Sequence, residues 1–332
     1  MAGAITRADW LRRLALAGTL LAFCVVVFGA YVRLSNAGLG CPDWPGCYGH
    51  VTPAGAVAAD AGTAQAPLQV GKAWREMIHR YGATTLGLII LVIAFLSLRW
   101  RRHAQVPVAL PLALVGLVIF QGLLGMWTVT LLLKPLIVTA HLAFGLTTLA
   151  MLWWLWMSLR HPVAASRPAP SALHRLCTIA LLALIIQILL GGWTSTNYAA
   201  VACPDFPKCQ ASWWPQADFR DAFVVWRGLG INYEGGVLDS ASRVAIHFTH
   251  RLGAMVATLS LLLAAILTLR LRKEPTSRRA AAAVLAALAL QLCIGIFMVL
   301  RGFPLQIATA HNAGAALLLL ATLALYRSLR QG

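Results

Sequence analysis

The sequence predicts an all-α polytopic membrane protein whose eight transmembrane helices form two four-helix bundle repeats of parallel topology, with both termini cytoplasmic. Composition is the first observation behind this prediction, since 60% of the 332 residues are hydrophobic and 11% are charged. Length is the second, because each apolar run is close to the ~20 residues that a helix needs to cross a hydrocarbon core. The runs are 14–34, 82–98, 106–133, 136–159, 174–194, 244–269, 280–300 and 304–326.

The third observation is the distribution of positive charge. Sixteen of the 27 Lys and Arg residues lie at alternate connections, together with only two of the ten acidic residues. Because cytoplasmic loops carry such an excess of Lys and Arg, these connections and both termini are predicted to be cytoplasmic. The same clustering indicates that the net charge of +17 orients the chain in a lipid bilayer rather than binding nucleic acid.

The first run, 14–34, is predicted to stay as a membrane helix. It is long for a signal peptide, and the residues that end it do not form a small-residue cleavage site.

The first run leads into an outer loop with C-P-D-W-P-G-C at 41–47, and the fifth run leads into C-P-D-F-P-K-C at 203–209. Both loops lie on the side where disulfides can form. Pro and Gly suit a tight turn that can bring Cys41 and Cys47 together, but the spacing leaves open whether either pair is structural or redox-active.

The two cysteine motifs belong to a repeat that covers the chain. Residues 28–47 align with 190–209 at an offset of 162. Q-G-L-L-G-M-W-T-V, which begins at Gln121, aligns with Q-L-C-I-G-I-F-M-V, which begins at Gln291. We expect interhelical hydrogen bonds from these two glutamines. The repeat predicts an N-terminal half over 1–159, a cytoplasmic linker over 160–175 and a C-terminal half over 176–332.

Each predicted half carries two histidines at equivalent positions near the outer ends of its helices. They are His79 and His141, then His250 and His311. A histidine within a membrane segment is costly and is a functional candidate by default, although an isolated one can be satisfied by interfacial water or a backbone carbonyl. Two facing helices with one imidazole each form the site that a heme iron accepts. A structural zinc site is disfavoured, because thiolate or carboxylate partners are missing at that depth.

Charged residues flank these histidines. Glu76 precedes His79 by three residues and so lies over the same helix face, where a carboxylate can transfer protons during chemistry on a bound ligand. The alternative is an ion pair with Arg75 or Arg80. The equivalent position in the second half holds His247, so the halves differ here. Four arginines at outer helix ends are candidates for binding heme propionates or, alternatively, lipid phosphate: Arg33, Arg80, Arg251 and Arg301.

Together these residues resemble the heme A synthase family over nearly the whole chain. The resemblance rests on the E-x-x-H-R pattern that begins at Glu76, on the three further histidines and on the paired outer-loop cysteines. It implies a membrane heme-modifying oxidoreductase that oxidises a methyl group of heme O to a formyl group, giving heme A for cytochrome oxidase assembly. The cysteine spacing departs from related bacterial forms, which often have six residues between the cysteines, and some members lack them.

The resemblance also implies residue roles. His79 and His141 would bind the iron of the substrate, heme O, beside Glu76 as the catalytic carboxylate. His250 and His311 would bind the iron of a resident heme b that passes electrons. The outer-loop cysteines would form disulfides or act in redox chemistry, as the pairs Cys41 with Cys47 and Cys203 with Cys209.

The surroundings implied by the resemblance are the bacterial inner membrane and a heme O synthase that supplies the substrate. The electron donor or acceptor and the presence of a homo-oligomer stay open. Two other function classes explain part of the pattern. A diheme b-type electron-transfer protein accounts for the four histidines, but not for Glu76 without a counterpart. A membrane thiol oxidoreductase would use the cysteines, but the chain lacks a redox C-x-x-C motif there.

Overall fold

The computed structural model describes residues 7–59, 68–102, 106–160 and 170–330, and within them the all-α prediction is confirmed. Eight helices in these ranges are long and apolar enough to cross a membrane. They are α1 (Arg7–Leu34), α3 (Val70–Arg99), α4 (Ala109–Thr130), α5 (Pro135–Ser158), α6 (Ser171–Thr196), α8 (Ser240–Leu271), α9 (Pro275–Leu300) and α10 (Leu305–Arg330). Two short helices, α2 (Pro53–Ala58) and α7 (Phe219–Ala222), lie in the connections. Residues 161–169 of the predicted linker lie outside the described ranges.

Local signals explain where several helices begin. Proline occupies the first turn of α2, α5 and α9, where its missing N–H costs no helical hydrogen bond. Asp239 caps α8 by accepting a hydrogen bond from the backbone N–H of Ser242 at 2.8 Å. Thr52 caps α2 in the same way through the N–H of Gly55. These caps satisfy N–H groups that have no partner inside the helix.

Helix α3 is longer than its apolar run. The run begins at residue 82, but the helix begins at Val70, so His79 lies in its third turn rather than at its start. The added segment contains Glu76 and Arg80, which pack under the preceding connection instead of facing lipid. Hydropathy detects only the part of a helix that meets hydrocarbon, and it therefore misses these first turns.

The first compact unit comprises Met1–His161 with Gly228–Glu234. Within it, α1 packs against α3 and α5, and α4 packs against the same two helices. Helices α3 and α5 are therefore diagonal partners across the interior. The segment Gly228–Glu234 is held by the backbone N–H of Tyr233, which donates to Leu132 O at 3.0 Å.

The second compact unit comprises Pro162–Arg227 with Gly235–Gly332. Helix α6 packs against α8 and α10, and α9 packs against the same two helices. Helices α8 and α10 are therefore diagonal, as α3 and α5 are in the first unit. Both units have the same cyclic order of helices, which is consistent with the predicted repeat.

Candidate functional site

The first histidine pair meets in the interior of the first unit. His79 lies on α3 and His141 on α5, the two diagonal helices. Their ring centroids are 6.4 Å apart, and the ring planes form an angle of 79°. Diagonal helices leave room between them for side chains from both, and the two imidazoles occupy that room. The structure thus brings together the two residues that the sequence paired.

The second histidine pair occupies equivalent places in the second unit. His250 lies on α8 and His311 on α10, again diagonal helices. Each unit therefore presents one pair of imidazoles from the same two positions of its helix order.

Each imidazole packs against a glycine of a neighbouring helix. A Cβ built on Gly29 would lie 2.7 Å from Cε1 of His79, and one on Gly191 would lie 3.1 Å from Cε1 of His250. For the other histidines, the corresponding distances are 3.5 Å from Gly125 and 3.0 Å from Gly295. A larger residue at three of these positions would press on the ring, so glycine lets the histidine lie directly on the helix backbone.

The donor set fits a heme iron. Nδ1 of His79, of His141 and of His311 is buried and has no hydrogen-bond partner among the described residues. Imidazoles that bind one metal from opposite sides, through bonds of about 2 Å, have ring centroids roughly 6 Å apart. The distance between His79 and His141 is close to that value. The first pair can therefore hold an iron between its rings, and the second pair offers the same ligands.

Glu76 is held by two donors beside this pair. Its side chain is buried, with 5% of the residue exposed. The backbone N–H of Cys41 donates to Oε2 at 2.9 Å, and Arg80 donates to Oε1 at 2.5 Å. The ion pair considered as an alternative from the sequence is thus present. A carboxylate has about four lone-pair sites, so two donors leave Glu76 able to accept another proton or hydrogen bond. Its catalytic role stays a prediction.

Arg80 connects α3 to the first disulfide loop. Its guanidinium donates to Asp43 O at 2.9 Å and to Gly46 O at 2.5 Å, in addition to Glu76. The disulfide between Cys41 and Cys47 closes the same loop, which confirms the predicted pairing. A redox role for these sulfurs stays a prediction. One arginine therefore fixes both the loop backbone and the buried carboxylate.

Asp43 stabilises the turn inside the first loop. Its carboxylate accepts hydrogen bonds from the backbone N–H groups of Tyr48 and Gly49, at 2.6 and 2.8 Å. Tyr48 has a positive φ of 52°, a conformation that needs such local support. Burial, followed by the nearby carboxylates of Asp43 and Glu76, raises the pKa of Tyr48.

The second disulfide loop is held by Arg251. Its guanidinium donates to Cys203 O at 2.9 Å and to Lys208 O at 2.6 Å. It also donates through Nε to Nε2 of His247 at 3.3 Å. Cys203 and Cys209 form the second predicted disulfide. A buried imidazole therefore takes the place that the Glu76 carboxylate has in the first unit.

Asp205 repeats the role of Asp43. Its carboxylate accepts from the backbone N–H groups of Gln210 and Ala211, at 2.7 and 2.9 Å. Burial acts to raise the pKa of Asp205, but the N–H donors of Ala211 and Gln210, with the charge of Arg251, outweigh burial and lower it. The aspartate in each C-P-D motif was missed as a structural residue, although its repetition in the sequence was a signal.

The other two predicted arginines lie at helix ends. Arg33 is in the last turn of α1. Arg301 follows α9 as its C-cap and lies 5.5 Å from the ring centroid of Phe297. Their binding of propionates stays a prediction.

Glutamine side chains approach three of the four histidines. Gln121 donates to His141 O at 3.1 Å, and the Gln291 amide lies 3.3 Å from Nε2 of His311. These contacts confirm the predicted interhelical hydrogen bonds. The sequence reasoning missed Gln187, whose amide lies 3.0 Å from Nδ1 of His250.

Comparison with known proteins agrees with this geometry. The cytochrome oxidase assembly protein family matches residues 12–323. A heme A synthase from Shewanella oneidensis is 44% identical over 316 residues, which cover 94% of this chain and 93% of the relative. The chain belongs to the heme A synthase family.

More distant members of the heme A synthase family also align over most of their length. One from Chelativorans sp. is 29% identical over 319 residues, 90% of this chain and 84% of the relative. One from Allorhizobium ampelinum is 29% identical over 330 residues, 90% of this chain and 85% of the relative. The family expected from the histidines, Glu76 and the cysteines is thus confirmed.

Proposed function

We propose that this protein is a heme A synthase, a multi-pass membrane enzyme that oxidises a methyl group of heme O to a formyl group. The heme A formed serves the assembly of terminal oxidases. The observation that carries the proposal is the buried Glu76 carboxylate three residues from His79, whose ring faces His141. Similarity to the Shewanella oneidensis heme A synthase over nearly the full length of both chains supports the same reaction.

In the proposed first site, His79 and His141 bind the iron of heme O as substrate. The glycine backbone against His79 limits how far its ring can move. Glu76 lies on the same helix as His79, so the carboxylate keeps a constant place relative to the ligand ring. Arg80 and the Cys41 N–H hold that carboxylate from the loop side. Glu76 then accepts or returns the proton that each oxidation step displaces.

In the proposed second site, His250 and His311 bind a resident heme b, which when bound supplies electron transfer. The equivalent position to Glu76 is occupied by His247, which already accepts a hydrogen bond from Arg251. That half therefore lacks the carboxylate that the oxidation needs, and its residues bind without reacting.

Four arginines are proposed to bind the propionate groups of the two hemes, which are the substrate heme O and the resident heme b. Arg80 and Arg251 already donate to loop carbonyls, so a propionate there would share a guanidinium with the disulfide loop. Arg33 and Arg301 stand at helix ends, where a cation also satisfies the terminal carbonyls.

The proposed location is the bacterial inner membrane, with both termini cytoplasmic. The clusters of Lys and Arg at alternate connections support this orientation. Both disulfide loops then lie outside the cytoplasm, which suits their oxidised state. Heme O would come from a heme O synthase in the same membrane, and the enzyme would exchange electrons with a further partner. A homo-oligomer is compatible with this arrangement.

The test is extraction and mass analysis of the pigments from purified protein, co-expressed with a heme O source. Wild type is expected to yield heme A. Glu76→Gln, which keeps the shape of the side chain, is expected to lower heme A by about 10²–10⁴-fold because a positioned acid or base contributes that much. Heme O or a hydroxylated product should accumulate instead.

Glu274→Gln is the matched control, since Glu274 forms an ion pair with Arg272 at a different helix end and should leave heme A unchanged. Heme b as the only pigment in wild type would overturn the proposal. That result would identify a diheme b-type electron-transfer protein, which the two equivalent histidine pairs also suit.

A further inference from the structure

A short segment of the connection that precedes α8 belongs to the first unit. Residues Gly228–Glu234 group with the helices of that unit, whereas the residues on either side of them group with the second unit. The segment makes polar contacts at the starts of α5 and α3. These are the two helices that carry His79 and His141.

Hydrogen bonds hold the segment to the start of α5. Nζ of Lys134, the N-cap residue of α5, donates to Gly228 O. The backbone N–H of Tyr233 donates to Leu132 O, in the turn before α5, at 3.0 Å. Lys134 and Tyr233 are each only 2% exposed. The segment therefore packs closely over this turn.

The last residue of the segment lies at the start of α3. The carboxylate of Glu234 is 3.9 Å from Nζ of Lys72, and both side chains are about one-third exposed. Lys72 also borders the first disulfide loop, because a Cβ on Gly40 would lie 2.6 Å from its backbone carbonyl carbon. The segment and the disulfide loop thus meet α3 at neighbouring points, about one turn before Glu76.

The two lysines have the same spacing from the two histidines of the first site. Lys72 precedes His79 by seven residues, and Lys134 precedes His141 by seven residues. Seven residues make about two helical turns, so each lysine lies over the face of its histidine, about 10 Å nearer to the start of the helix. The two rings meet between α3 and α5. A segment that contacts both lysines therefore crosses the end of the space that holds the rings.

We propose that Gly228–Glu234, here called the cover segment, closes this end of the first histidine site and sets the rates at which a heme enters and leaves it. This inference rests on the proposed function, because it takes His79 and His141 as heme ligands. A substrate must enter and its product must leave, and closure between these events keeps water from the reacting groups. The cover segment moves aside for exchange and does not itself bind the heme.

The second half has different residues at the positions of the two lysines. Arg243 is equivalent to Lys72, and its Nε donates at 2.8 Å to Leu238 O, five residues earlier in the chain. Pro304 is equivalent to Lys134, and a proline side chain has no donor. The lysine before α5 is thus particular to the half that is proposed to exchange its heme.

Glycines give the cover segment a backbone conformation that other residues rarely adopt. The φ angle is 84° at Gly228 and 76° at Gly230. A Cβ on Gly230 would meet nothing within 4 Å. Alanine at residue 230 would therefore strain the backbone of the closed segment without pressing on another residue. This position offers a way to weaken closure that leaves both lysines in place.

The test measures heme entry and exit in full-length protein that carries His250→Ala, so that binding is confined to the first site. Ferric heme b is the probe, and absorbance follows its capture by the apo protein and its loss to excess apomyoglobin. Lys134→Met removes the donor to the cover segment and is expected to speed both rates by about tenfold or more, because a hydrogen bond from a charged group is lost. Equal acceleration leaves the dissociation constant unchanged, as a cover that does not bind heme requires.

Two further variants weaken closure by other means. Gly230→Ala strains the closed segment and should speed both rates by roughly fivefold or more. Lys72→Met removes a partly exposed ion pair and should speed them by at most about fivefold, with a smaller effect at high salt. Lys208→Met is the control, because the Lys208 side chain lies over Trp213 in the second disulfide loop, and it should change neither rate.

Unchanged entry and exit in these variants would overturn the inference and show that heme reaches the site by another route, such as between helices from the lipid. Faster exit with unchanged entry would also overturn it, since the segment would then bind the heme or support its ligands. If Lys134→Met does not fold, Gly230→Ala decides. The proposed function fails separately if protein with both His79→Ala and His250→Ala binds heme as His250→Ala does.

Discussion

The two disulfide loops share the same set of hydrogen bonds but differ in the side chain that lies beneath them. In each, an aspartate two residues after the first cysteine accepts two backbone N–H groups, and an arginine of the following helix donates to loop carbonyls. Arg80 reaches Gly46 O and Arg251 reaches Lys208 O, which are equivalent positions of the repeat. Beneath the first loop lies the Glu76 carboxylate, and beneath the second lies the His247 imidazole.

This difference separates what the fold requires from what the chemistry requires. The aspartate hydrogen bonds and the arginine contacts recur in both halves, because each loop must cover the start of its helix whatever it encloses. The residue beneath the loop does not recur. The first half keeps a buried carboxylate beneath its loop, and removing a charge from water is costly even where an ion pair and backbone N–H groups stabilise it. Glu76 is therefore the main difference between the two loops, and its catalytic role stays a prediction.

The largest expected effect comes from removing the arginine under each loop. Arg80→Ala leaves the buried Glu76 carboxylate without its cation, which is expected to lower the free energy of unfolding by about 3–5 kcal/mol. Arg251→Ala removes hydrogen bonds to two carbonyls and an imidazole but leaves no buried carboxylate without its cation, and should cost about 1–3 kcal/mol. Thermal unfolding of both variants in the same detergent measures the difference.

A double variant tests the cause. Glu76→Gln in the Arg80→Ala protein removes the unpaired charge and should restore part of the lost stability. The prediction is contradicted if Arg80→Ala and Arg251→Ala lower the free energy of unfolding equally and the double variant restores none of it. The two loops would then be energetically alike, and the buried Glu76 carboxylate would not destabilise the Arg80→Ala protein.

An intermediate effect is expected at the glycines beneath the first histidines. Gly29→Ala places a Cβ 2.7 Å from the His79 ring, whereas Gly191→Ala places one 3.1 Å from the His250 ring. Overpacking of about 1–3 kcal/mol should lower heme binding most in Gly29→Ala, by roughly tenfold or more. Heme content after loading with ferric heme b measures the change.

Gly125→Ala is the control for this comparison, because its Cβ would meet the His141 ring at 3.5 Å, an ordinary contact. Heme content should stay near the wild-type value there. A loss in Gly125→Ala as large as in Gly29→Ala would mean that helix packing in general, and not the histidine ring, sets the requirement for glycine.

The eight long helices could be predicted from the sequence, because each contains its own apolar run. It also paired the cysteines and the histidines, since duplication made each pair visible twice. Local patterns of this kind depend on spacing along the chain. They allow a site to be located before any contact is known.

Contacts across long separations were harder to predict. Glu76 accepts from the N–H of Cys41, 35 residues earlier, and that bond depends on the loop conformation. Arg80 was expected to bind propionates, which stays a proposal, and its hydrogen bonds to the loop backbone were not expected, because no spacing rule reveals them. Gln187 was missed because its counterpart is Val25, so the repeat that exposed the other residues gave no signal there.

The smallest expected effect concerns the aspartates that the two loops share. Asp43→Ala and Asp205→Ala each remove an acceptor for two backbone N–H groups, and each should lower stability by about 1–2 kcal/mol in thermal unfolding. The two losses should be similar, because the hydrogen bonds are equivalent. A much larger loss in Asp43→Ala would show that the turn in the first loop also supports Glu76, and the loops would then differ in framework as well.

The pH dependence of the second loop follows from the lowered pKa of Asp205. A carboxyl group whose pKa is lower in the folded state stabilises the protein above its unfolded pKa, about 3.9, and loses that contribution as the pH falls through the folded value. The difference in stability between wild type and Asp205→Ala should therefore be complete at pH 6 and shrink below about pH 4. Thermal unfolding at pH 6 and at a pH below about 4 measures this difference in stability, and Asp43→Ala is measured under the same conditions. If the difference in stability for Asp205→Ala is the same at both pH values, the hydrogen bonds that Asp205 accepts do not depend on the charge of its carboxyl group.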